Sequence, residues 1–250
     1  MLKTGLCSIT FRDLSVDQII ALTVKAGLDG IEWGGDIHVP SGSVERASEV
    51  ANLTKQAGLS IVSYGSYYRV GCENETSFEQ ILETAIHLNA PAIRVWAGNR
   101  SSEDADKTYW QTVISDSRKI GSLAEKEGIA INYEYHDDTL TDTKASAYKL
   151  MKAVNHPNIG VYWQPAIDQD VETRIESIKE IGPWLTHVHV FQWSTKDRFP
   201  LSEGKQEWIR YLRNLENSRD DRYMMLEFVK DDDPKQMLED ADVLKRLISS

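Results

Sequence analysis
The 250-residue chain holds two cysteines, Cys7 and Cys72. They form no metal-binding spacing, and two are too few for a disulfide framework. A reduced, cytoplasmic protein is the expectation. No apolar run approaches the ~20 residues that span a bilayer, so no membrane partner is expected. The first residues, MLKTGLCSITFRD, lack the apolar segment of a secretory leader. Positive charge is also short. The chain has 28 Lys+Arg against 39 Asp+Glu, a net −11. That balance argues against nucleic acid, which needs a positive field to engage phosphates, and leaves room for a local basic pocket. No Gly-rich phosphate loop follows the first strand-like run, so a dinucleotide-binding doubly wound sheet lacks its signature. Linkers and low-complexity stretches are absent, and residues 1–250 read as a single domain.

What is present is an alternation of short apolar runs and longer helical patterns. Strands are predicted at 4–9, 30–33, 60–65, 92–96, 129–135, 158–163, 185–190 and 223–228. Helix punctuation lies between them. Ser15 with Gln18 and Thr76 with Glu79 read as capping boxes, Gly27, Gly58, Asn89 and Gly128 as stops, and Asp233–Pro234 as a helix start. A final helix shows Met237, Leu238, Ala241, Leu244, Leu247 and Ile248 at helical spacing. Strand ends recur about every 30 residues, the length of one strand-plus-helix unit. Eight such units predict an α/β fold, a (β/α)8 TIM barrel.

In such a barrel the strand ends meet at one mouth. Carboxylates, a histidine and an amide oxygen from different strands can ring a divalent cation without any local spacing. Each residue alone has a plainer reading. A strand-end Glu is ordinarily solvated, His187 and His189 share a face and can be structural, and Arg94 can simply pair with an acid. The chain also carries seven tryptophans. Trp33, Trp96, Trp163 and Trp193 fall at or just beyond strand ends, where they predict an aromatic wall at the mouth. Position alone makes His38, Arg94, His136 and Lys196 candidates for contacts to substrate oxygens. It makes Tyr64, Tyr68, Trp96 and Trp193 candidates for the wall. Arg94, Arg69, Lys196 and Arg198 would serve a phosphorylated substrate.

The motifs GIEWGGDIHVP (30–40), SYGSYYR (63–69), APAIRVWAG (90–98), YEYHDDTLTDT (133–143), VYWQP (161–165), HVHVFQW (187–193) and LEFV (226–229), in this order, resemble the sugar phosphate isomerase/epimerase family. That family has the xylose isomerase-like TIM-barrel fold and includes ketose 3-epimerases and hydroxypyruvate isomerases. The resemblance implies a divalent metal (Mn, Co, Mg or Zn) held by Glu134, Gln164, His189 and Glu227. Gln164 stands where the family has Asp, which lowers the ligand charge from −3 to −2. It implies Glu134 and Glu227 as the acid/base pair that forms a cis-enediolate from a small sugar, keto-acid or sugar derivative. Isomerisation or epimerisation is the leading expectation. A lyase or dehydratase using the same enolate is the alternative. A non-catalytic sugar-binding protein or an abasic-site endonuclease ranks below these; the endonuclease needs a multi-zinc cluster, and the chain has six histidines. A homodimer or homotetramer is expected of barrels in this group.

Overall fold
A computed structural model describes residues 2–215 and 222–249. Eight parallel strands pair in sequence order and close into a barrel. They are β1 (Leu2–Cys7), β2 (Gly30–Gly34), β3 (Ser60–Arg69), β4 (Ala92–Trp96), β5 (Ala130–Glu134), β6 (Ile159–Trp163), β7 (Leu185–Val190) and β8 (Arg222–Leu226). Among the described residues, eight α-helices cover it: α1 (Val16–Ala26), α2 (Val44–Gln56), α3 (Phe78–Leu88), α4 (Lys107–Lys126), α5 (Lys144–Val154), α6 (Val171–Ile181), α7 (Lys205–Leu215) and α8 (Pro234–Ile248). The predicted β4 and β7 match to the residue. No helix among the described residues is long and apolar enough to cross a membrane.

Strand alternation sorts the side chains into two layers. Residues facing outward join the helices in the main apolar core. Residues facing inward include a smaller cluster of Cys7, Ile9, Val62, Tyr162, Tyr223 and Met225. This sorting corrects the tryptophan prediction. Trp33 and Trp163 are fully buried between barrel and helices. Trp33 Nε1 donates to Thr54 Oγ1 of α2 at 3.1 Å, and Trp163 Nε1 to Ser177 Oγ of α6 at 2.8 Å. Each comes directly after an inward-facing residue, Glu32 or Tyr162, so its own side chain must point away from the barrel axis. Only Trp96 and Trp193 of the four stand at the mouth.

β3 breaks the simple alternation. Its register against β2 shifts after Ile31, so Ile31 pairs Ile61 while Glu32 pairs Ser63. Val62 is the extra residue of a bulge, which re-aims the side chains beyond it. Ser63 therefore turns inward and Tyr64 outward.

One predicted cap moves by a residue. Ser77, not Thr76, starts α3; its hydroxyl accepts from Gln80 N, and the Gln80 side chain accepts from Ser77 N. The Ser15–Gln18 box and the Asp233–Pro234 start are present. Gly27 and Asn89 both close their helices in the left-handed conformation. Replacing Ser77 by Ala should cost about 1 kcal/mol, and Thr76→Ala close to nothing. Urea unfolding of the two variants checks the assignment.

Candidate active site
The inward residues at the C-terminal strand ends form one buried polar cluster. His189 on β7 is fully buried and lies at its centre. Its Nδ1 is 2.9 Å from Gln164 Oε1, 3.3 Å from Glu227 Oε2 and 3.5 Å from Glu134 Oε1. Four elements thus bring one nitrogen and three oxygens together. Burial works against the His189 imidazolium, yet Glu227 and Glu134 hold its pKa well above the ordinary histidine value.

Glu134 divides its two oxygens. Oε2 accepts from Arg94 Nη1 and from Trp96 Nε1, while Oε1 faces His189. Burial alone would raise the Glu134 pKa, but Arg94 and His189 hold it below the usual carboxylate range. Arg94 is itself buried and also pairs with Glu32, its Nε lying 2.8 Å from Glu32 Oε1. Ser63 Oγ donates to the other Glu32 oxygen at 2.5 Å. Gly65 makes room for this crossing, because a Cβ there would lie 2.9 Å from Arg94 Nη2.

The donor set fits a divalent ion. Two carboxylates, an amide oxygen and an imidazole nitrogen suit Mn²⁺, Co²⁺, Mg²⁺ or Zn²⁺. Glu134 keeps one oxygen for such an ion while Arg94 takes the other. Cys7, which fits no linear metal spacing, is brought into the same region. Ligating atoms of Cys7, His189 and Glu227 all lie within 4.8 Å of one another. Burial pushes the Cys7 thiol up to about 12, which leaves it a protonated neighbour at neutral pH.

The predicted substrate contacts separate into two groups. Arg94, Trp96, His136 and Trp193 are at the mouth. The Trp96 and His136 rings lie 5.4 Å apart. A small cavity of about 70 Å³ is lined by Gln164, His136, Phe191 and Trp193 among others. Trp193 stacks on Phe191 and donates Nε1 to Phe228 O at 3.0 Å. The others are directed elsewhere. His38 is buried against Trp33 with Nε2 3.1 Å from Leu14 O, because it lies past the strand end on a loop that folds back over the helices. Tyr64 donates to Val39 O at 2.9 Å, turned outward by the β3 bulge. Tyr68 bonds Asp116 of α4 at 3.2 Å and packs on Phe78. Lys196 lies exposed on the β7–α7 loop, where its backbone N donates to Ser194 Oγ.

The wall tyrosine is Tyr67, which position counting passed over. Its ring meets Trp96 edge-on at 5.4 Å, and Arg12 Nη2 donates to its hydroxyl at 3.2 Å. Its backbone has φ 60°, a conformation that strand alternation does not anticipate. Glu32, inside the 30–40 motif, carries no role assigned from sequence. The signal available for it was its inward parity one residue before Trp33.

Residues 20–247 match the family described as xylose isomerase-like TIM barrel, and the chain belongs to that family. It is 27% identical over 217 residues to a 3-dehydroshikimate dehydratase of Bacillus anthracis, covering 81% of this chain and 76% of the relative. Among solved structures it resembles a probable 3-DHS dehydratase involved in petrobactin synthesis, also from Bacillus anthracis. That match has a TM-score of 0.81 and 23% identity, and covers 97% of this chain and 98% of the other. A D-psicose 3-epimerase structure gives 0.73 and 19%, covering 98% and 97%.

His187 lies below the cluster, its ring between Tyr162 and Tyr223. Burial pushes it down to about 4 from 6.5. Below about pH 6.5 the unfolded chain takes up a proton that the folded chain refuses until about pH 4. Its contribution is therefore complete above that window, falls on acidification through it, and is constant beneath it. The shift corresponds to at most about 3 kcal/mol. Unfolding midpoints in urea between pH 4 and 7 should fall less steeply for His187→Gln than for the parent.

Proposed function
We propose that this protein removes a proton beside a carbonyl of a small hydroxylated ketone or keto-acid, and that expulsion of a neighbouring hydroxyl as water completes the reaction. The observation that carries the reading is the convergence of Glu134, Gln164 and Glu227 oxygens on His189 Nδ1 at 2.9–3.5 Å. Those four residues would hold a divalent ion, which when bound polarises a carbonyl oxygen and makes the adjacent C–H more acidic.

The chain's own groups divide the remaining tasks. Glu134 is fixed by Arg94 and Trp96, so it serves chiefly as an anionic anchor. Glu227 is buried, and among the described residues no Arg or Lys pairs with it. With no Arg or Lys to hold it, and only His189 at 3.3 Å, its carboxylate is the group to accept the proton from carbon. In this reading the expected Glu134–Glu227 acid/base pair takes two unequal roles. Trp96, Tyr67, Phe191 and Trp193 supply apolar surface that limits water around the enolate.

Loss of water is favoured by the likeness to the 3-dehydroshikimate dehydratase. Isomerisation or epimerisation is the second reading. It uses the same proton removal, returns the proton to carbon, and is supported by the structural likeness to D-psicose 3-epimerase.

Incubation in D₂O with Mn²⁺, Co²⁺ or Mg²⁺ tests both readings, using 3-dehydroshikimate, D-psicose and D-fructose as substrates. Nuclear magnetic resonance should detect loss of water from 3-dehydroshikimate. Deuterium in a product that keeps all its oxygen would instead establish the second reading. Glu227→Gln should slow either outcome by about 10²–10⁴-fold. Absence of both elimination and carbon-bound deuterium across the panel would overturn the proposal.

A further inference from the structure
We infer that Glu32 is the positioning residue of the ligand cluster, acting through His189 and Arg94 together. The inference rests on reading Glu134, Gln164, His189 and Glu227 as a donor set for a divalent ion. Glu32 is not one of those donors. It lies beneath them in the middle of β2 and is 2% exposed.

Three contacts define its role. Glu32 Oε2 accepts from Ser63 Oγ at 2.5 Å. Glu32 Oε1 accepts from Arg94 Nε at 2.8 Å and lies 3.8 Å from His189 Nε2. That Nε2 is buried and, among the described residues, has no hydrogen-bond partner. For His189 to offer a lone pair at Nδ1, its ring proton must sit on Nε2. A carboxylate 3.8 Å from Nε2 favours that tautomer electrostatically, the preference that carboxylates behind metal-binding histidines commonly impose.

The second arm runs through the guanidinium. With Nε held by Glu32, Arg94 Nη1 reaches Glu134 Oε2. That leaves Glu134 Oε1 facing His189. A single buried carboxylate therefore acts on two donors, on one by favouring a histidine tautomer across 3.8 Å and on the other through an arginine fork. Ser63 completes the arrangement, because the bulge at Val62 is what brings its hydroxyl to Glu32. A Glu32 that only neutralised Arg94 would need no such hydrogen bond.

The test is Mn²⁺ binding to metal-stripped, full-length protein, followed by calorimetry and by the Mn²⁺ electron paramagnetic resonance signal. Thermal unfolding of each metal-free variant reports folding separately. Glu32→Gln should weaken Mn²⁺ binding on the order of 10- to 100-fold. Ser63→Ala keeps the charge and frees Oε2, and should weaken binding several-fold. Equal affinity for Glu32→Gln and the parent, within about two-fold, overturns the inference. So does a Ser63→Ala variant that binds like the parent, because Glu32 would then act by charge alone. If Glu32→Gln fails to fold, Ser63→Ala decides. A parent protein that binds no Mn²⁺ is a separate failure, of the donor-set reading itself, and is detected before any variant is made.

Discussion
A guanidinium buried inside the barrel sets the terms for everything around it. Arg94 is 2% exposed and lies between Glu32 and Glu134, which are almost as deeply buried. Removing an ion of this kind from water costs several kcal/mol, and only good geometry with multiple partners offsets it. Both acids must therefore be present and correctly aimed. Losing one of them would leave an uncompensated charge, at about 3–5 kcal/mol. The glycine at position 65 reflects the same constraint, since any side chain there would meet the guanidinium.

The ion pairs also explain why two similar glutamates differ. Glu134 has one oxygen committed to Arg94 and Trp96, and its negative charge is locked in place. Glu227 approaches His189 from the end of the neighbouring β8, with its backbone N bonded to Val190 O. The net −11 of the chain says little about this interior. Arg12, Arg69, Arg94 and Arg198 each lie against an aromatic ring of Tyr67, Trp96, Trp193 or Phe228. The rim and floor of the mouth are thus locally cationic as well as acidic.

Much of the architecture was legible because barrel strands are buried on both faces and read as short apolar runs. Gly27, Asn89 and Asp233–Pro234 marked real helix boundaries. The convergence of Glu134, Gln164, His189 and Glu227 was legible through motif order. The pocket wall was less so. Tyr64 and Tyr68 have the right residue type and lie near a strand end, but the bulge at Val62 and the left-handed Tyr67 decide which ring faces inward. Trp33 and Trp163 were misplaced for a simpler reason. Being last in a strand specifies height along the barrel axis and not the side to which a ring points. The approach of Cys7 to His189 and Glu227 spans most of the chain length, and no linear spacing could reveal it.

The extra residue at Val62 separates two halves of one strand. Before it, β3 keeps the parity of the barrel floor, with Val62 among the interior apolar residues. After it, the parity is reset, and Ser63 serves Glu32 while Tyr64 secures the loop after β2 through Val39. The floor and the mouth are thus written in different reading frames of the same strand. Substitutions that repack the floor can accumulate without changing which side chains face the substrate, and the mouth can diversify without disturbing the floor.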